Sequence, residues 1–162
     1  MTKRLVPTWP FPAYVFIPGV NPHPKKVGGH MEGQPDPVAP QIDLTHPEKS
    51  EFLRYSLDLY NHGYYWESHV YFEALWNAHG RTGSVADLLK GMIKLGAAGV
   101  KILIHQPQNA RDHLVRAKEL FESVMNAEGS NFLGFELKQI IANMDEVLDS
   151  QESCPKVSPS WE

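Results

Sequence analysis

The sequence has a single cysteine, Cys154, among 162 residues. A lone thiol excludes an intrachain disulfide and every multi-cysteine metal or redox motif, and it fits a reducing compartment. Basic clusters are equally scarce. No run of lysine or arginine exceeds a pair, and fifteen basic against nineteen acidic residues leave a formal charge of -4. The electrostatic footprint of a nucleic-acid partner is therefore missing. Long apolar runs are lacking too: near the N-terminus LVPTWPFPAYVFIPG is broken by prolines before a signal region can form, and MIKLGAAGVKILI carries Lys94 and Lys101 and is too short to span a bilayer. These absences predict a cytoplasmic protein with neither membrane nor nucleic acid as partner. The phosphate-binding GxxxxGKS/T, the dinucleotide GxGxxG, the GxSxG elbow and HExxH are all missing as well.

What is present divides into three stretches. Residues 1–44 hold nine of the thirteen prolines together with Gly19, Gly28, Gly29 and Gly33, so neither a helix nor a central strand can run far there. The aromatics Trp9, Phe11, Tyr14 and Phe16 make this stretch too apolar for a solvated linker, and an ordered arm lying on the body is expected. Residues 45–150 carry helical periodicity throughout, and 151–162 read as a disordered tail.

Within the middle stretch, THPE is a capping box with Thr45 as N-cap, opening a first helix over about 46–61. Gly63 allows a turn into a second helix that ends near Gly80. SVAD, with Ser84 as N-cap, opens a third over about 85–105, stopped by Gln106-Pro107. Asn109 caps a fourth, striped by Leu114, Ala117, Leu120, Phe121 and Val124, and Leu137 to Leu148 give a fifth. No stretch alternates with the period of two that strands require. The expected class is all-α, a compact bundle of about five helices with the arm packed across the hairpin of the first two.

The stretch HGYYWESHVYFEALWNAHGR, residues 62–81, sets three histidines and two glutamates among six aromatic rings. With about 100° per residue, Glu73 falls about 40° from His69, close to Trp76, Tyr65 and Phe72 on one aromatic face. Glu67 falls about 160° away, pointing to solvent or to another helix. A histidine and a glutamate at i and i+4 suit either a shared metal ion or an imidazole oriented by a carboxylate. The competing reading is that they satisfy one another inside a core. A divalent metal such as zinc needs more ligands, for which His62, His79, His23 and His30 are candidates, the last two if the arm folds over the hairpin.

On the third helix Asp87, Lys90, Lys94, Lys101 and His105 share one stripe, a solvated face or a cationic strip turned to an anionic ligand or to Glu73. Gly96 and Gly99 each cost about 1 kcal/mol against alanine, which predicts close approach of another helix at LGAAG.

NHGYYWESHVYFEALW, LLKGMIKLGAAGVK and NARDHLVRAKELF together resemble the domain-of-unknown-function 309 (DUF309) family over about residues 50–125, and the proline-rich arm resembles an extension of its longer members. The resemblance implies a compact multihelical fold and no settled activity. It makes Glu67, His69, Glu73 and Trp76 the signature residues, while Val70 stands where the family usually has a glutamate. The expected ligand-binding set is His69, Glu73, Trp76, Tyr65, Trp66, Glu67, Lys90 and Lys94, with His69, Glu73, His62, His23 and His30 as metal candidates. The leading expectation is an uncharacterised helical protein that binds a polar ligand or metal ion there. The alternatives are a metal-dependent hydrolase, which the missing glutamate at Val70 weakens, and a non-catalytic interaction module, including a homodimer packed at the glycine-lined helix.

Overall fold

The computed structural model describes residues 2–150 and 152–162. Among them are five α-helices: α1 Glu51–Asn61, α2 Tyr65–Ala78, α3 Ser84–Leu103, α4 Pro107–Glu128 and α5 Leu137–Ser150. The protein is an all-α bundle in which α3 lies between α2 and α4, with α1 on α2 and α5 on α4. Each helix turns an apolar stripe inward, and Leu57, Phe72, Leu75, Leu95, Leu114 and Phe121 are wholly buried in one core. None of the described helices is long and apolar enough to cross a membrane.

Helix starts differ from the expectation in a consistent way. Pro47–Lys49 form a 3-10 turn, and α1 begins only at Glu51, where Ser50 Oγ accepts from Leu53 N at 3.1 Å. Thr45 is not the cap; its backbone and hydroxyl both donate to Asp43 Oδ1. Pro47 cannot donate to the backbone, which suits it to opening the short turn, and this leaves Ser50 as the first residue placed to cap α1. Ser84 likewise lies inside α3, because Gly83, at φ +97°, makes the entry turn that an L side chain resists. Pro107 occupies the first turn of α4, where its missing N–H costs nothing, and Asn109 bonds the Gln106 side chain instead of capping.

Two further differences concern the C-terminal part. Asn131–Phe132 and Phe135–Glu136 pair antiparallel as β1 and β2, joined by Leu133 and Gly134, both at positive φ. Two-residue strands are too short to register as alternation in sequence. The expected disorder from 151 onward does not hold for the described residues 152–162. Val157 is wholly buried and exchanges two hydrogen bonds with the Asn61 side chain at 2.8 and 2.9 Å, Tyr60 Oη donates to Pro155 O, and Trp161 donates to Leu133 O. Burial pushes the Cys154 thiol up to about 12, so it stays protonated and unreactive.

The approach predicted at LGAAG comes from α2 of the same chain. A Cβ on Gly99 would overlap the Tyr65 ring, and one on Gly96 would come within 3.0 Å of the Tyr65 carbonyl. One turn before them, a Cβ on Gly91 would lie 2.5 Å from the wholly buried Phe121 ring. Gly91→Ala should therefore cost stability. Overpacking of about 1–3 kcal/mol outweighs the gain of about 1 kcal/mol in helix propensity. A urea midpoint equal to or above that of the parent protein would contradict this packing.

The arm crosses α1 and α2. Asp58, 2% exposed, accepts from Leu5 N at 2.7 Å and Val6 N at 2.8 Å, with Arg4 Nε at 3.4 Å. Trp9 packs on Phe52 and Tyr55, Phe11 stacks on Tyr64, and Ile42 N donates to His79 Nε2.

Candidate functional site

Helix α2 starts immediately after the turn at Gly63, which places Glu67 in its first turn, facing the arm. Val70, Tyr71 and Ala74 follow at i+3, i+4 and i+7, so this face is apolar too, and the arm covers it. Glu67 is consequently 1% exposed. Its Oε1 accepts from Phe16 N at 2.6 Å. His30 Nε2 stands 3.7 Å from the same oxygen, too far for a hydrogen bond. Glu67 Oε2 and His30 Nε2 are both buried without a partner among the described residues.

Burial raises the Glu67 carboxyl above its ordinary value, opposed in part by the bond from Phe16 N, and burial lowers the His30 imidazole. Both shifts favour the neutral forms, a carboxylic acid beside an uncharged ring. Both residues line a cleft of about 350 Å³ between the arm and the α1–α2 hairpin, bounded also by Pro10, Pro12, Tyr55 and Tyr71. Burial pushes the Tyr55 phenol up to about 12 and raises that of Tyr71, so both remain hydrogen-bond donors at neutral pH. Tyr55 Oη already donates to Pro10 O at 2.7 Å. Chemically, such a pair can exchange a proton with a bound polar group or hold it by two hydrogen bonds.

The remaining expected residues lie around this centre. His69 and Glu73 do share an edge of α2, but Nε2 and Oε2 are 3.8 Å apart and the side chains are 30% and 50% exposed. They do not fasten a core. The His69 Nδ1 hydrogen faces the Trp66 carbonyl, which leaves Nε2 turned outward. Val70 and Glu73 border a shallow pocket with Lys25 and Asp36, the latter two ion-paired to each other. Trp66 lies between His69 and His23, at 5.0 and 5.3 Å. Tyr65 packs on Gly99 and Tyr60. Trp76 sits away from the cleft beneath Lys90, whose Nζ is 4.6 Å from the ring centre. Lys94 belongs to a cationic group with Lys90 and Arg116.

The metal candidates are not assembled. Both nitrogens of His62 face backbone carbonyls, of Asp58 and Thr2. His23 Nδ1 accepts from Lys25 N. Among the described residues, no three His, Cys, Asp or Glu side chains converge as a metal would need. The arm does fold over the hairpin, but it brings His30 to Glu67 and not to His69. The signal for this was the run Val70, Tyr71, Ala74: a glutamate on an apolar face needs a partner.

These features define a small helical protein in which an irregular arm closes over an aromatic hairpin and buries an acid–imidazole pair. Residues 53–112, spanning most of α1, all of α2 and α3 and the start of α4, match the model of a family of domains of unknown function, DUF309. No curated protein matches the chain.

Proposed function

We infer that the protein binds a small, uncharged polar molecule in the cleft over Glu67 and His30. The observation that supports this is that Glu67 Oε2 and His30 Nε2, buried and without partners among the described residues, belong to two residues that line the cleft. A buried polar group left unpaired costs about 1–3 kcal/mol, and a ligand that donates and accepts on neighbouring atoms repays that cost at both. Amides, ureas and diols have this pattern. Their apolar parts fit against Pro10, Pro12 and the two tyrosine rings. A charged ligand suits the cleft less well, because the environment favours the neutral form of both groups.

The test is ligand-detected NMR of the full chain against a library of small amides, ureas and diols, repeated with Glu67→Ala and His30→Phe. Binders should be found whose signals vanish with either variant while the variants remain folded by circular dichroism. A library without binders, or binders indifferent to both substitutions, would overturn the assignment.

A further inference from the structure

Helix α3 carries positive charge that the Glu67–His30 cleft does not use. Lys94 and Lys101 lie two turns apart on α3, and His113 of α4 stands close to both. None of the three forms an ion pair with a carboxylate among the described residues. Lys101 Nζ meets only the amide oxygen of Gln106, at 3.2 Å. Burial, followed by the neighbouring Lys90 and Arg116, pulls Lys94 down, and burial, followed by Lys94 and Lys101, pulls His113 down. These shifts favour the neutral form of His113, which offers an anion an imidazole N–H, while the Lys101 ammonium, with no carboxylate partner among the described residues, supplies the charge.

Beside Lys101 and His113, helices α2, α3 and α4 leave a groove of about 210 Å³. Ile93, Ala97 and Val100 line it from α3, and Tyr65, Trp66 and His69 line it from α2, which packs closely on Gly96. An apolar cavity of about 150 Å³ is known to accept a benzene ring, so this groove has room for one ring and a short substituent.

We propose that the groove binds a small free aromatic carboxylate, its ring on Ile93, Ala97 and Val100 against the Tyr65 and Trp66 wall and its carboxylate on Lys101 and His113. The apolar floor, the Lys101 ammonium and the His113 imidazole are adjacent, so one molecule satisfies all three. The site is separate from the cleft under the arm, which lies on the other face of α2, and neither requires the other.

The experiment is a heteronuclear NMR titration of the full chain with phenylacetate, using benzyl alcohol as its uncharged analogue. Saturable shifts should centre on Ala97, Val100 and His113. The double variant Lys101→Gln/His113→Gln should bind phenylacetate about tenfold more weakly or worse, as expected for losing a charge-assisted bond, and bind benzyl alcohol as before. Ala97→Leu, which fills the floor and leaves the charges in place, should remove both. The proposal is overturned if phenylacetate gives no saturable shifts or benzyl alcohol binds the parent equally well. It is equally overturned if the double variant binds phenylacetate undiminished, or if decanoate binds more tightly than phenylacetate, which would point to a lipid chain.

Discussion

Glu67→Gln should make the protein more stable at neutral pH. Burial raises the folded-state pKa of Glu67 above its unfolded value. The stability this group contributes is therefore fully present below the unfolded pKa, near 4.5, and is lost as pH rises through the folded pKa. Glutamine keeps an oxygen for Phe16 N and never ionises, so it avoids that loss. Urea midpoints of the parent and of Glu67→Gln should agree most closely in acid and diverge toward neutral pH in favour of the variant. His30 works in the opposite direction, its neutral form being favoured by burial, and comparing the two proteins at each pH cancels its part. Glu67→Ala separates charge from bonding: it strands the buried Phe16 N–H, and a loss of about 1–3 kcal/mol is expected at every pH. Parallel curves for the parent and Glu67→Gln would show that the carboxyl feels no desolvation, and the reading of the cleft as a neutral polar site would go with it.

The second large effect belongs to Asp58. Its carboxylate, itself buried, accepts from two successive backbone N–H groups of the arm and faces the partly exposed Arg4 guanidinium. Asp58→Ala leaves both N–H groups without acceptors, a cost of about 2–6 kcal/mol at about 1–3 kcal/mol for each buried orphan, reduced where the arm swings out to find water. Asp58→Asn retains one acceptor and should fall between. Native-state hydrogen exchange tells a loosened arm from a weakened bundle. The Val6 amide should lose its protection in Asp58→Ala while Leu95 and Leu114 keep theirs. Retained protection at Val6 would mean that the aromatic contacts of Trp9 and Phe11 hold the arm without the carboxylate.

Much of this architecture was legible in the order of residues. The five helices follow from apolar spacing, and the small residues at LGAAG announced a close neighbour because glycine inside a helix is otherwise a cost. What escaped depends on contacts between distant parts. Ser50 and Thr45 are equally good caps on paper, and only the short turn at Pro47 decides between them. The tail reads as polar, yet Val157 is buried because Asn61, far away in the sequence, offers a donor and an acceptor to its backbone. At the candidate site the wheel correctly set Glu67 opposite His69. It could not show that α2 is covered on both sides, by α3 on one and by the arm on the other, so the glutamate expected to point to solvent or to another helix is buried under the arm.

Tyr60, Asn61 and His62, three consecutive residues at the end of α1, hold both extremities of the described chain: Pro155 and Val157 on one hand, Thr2 on the other. These closures span 60 to 96 residues, whereas each of α1 to α3 finds its main partner in the next helix along. Contacts between sequence neighbours form early because little loop entropy is spent on them, and distant ones come later. The helices thus assemble first and the two ends close onto them last, like straps fastened over a finished package. In reverse, the ends open first. A protease should therefore trim arm and tail from a native population long before it cuts the bundle, and a molecule so trimmed would keep its helices while losing the roof over Glu67.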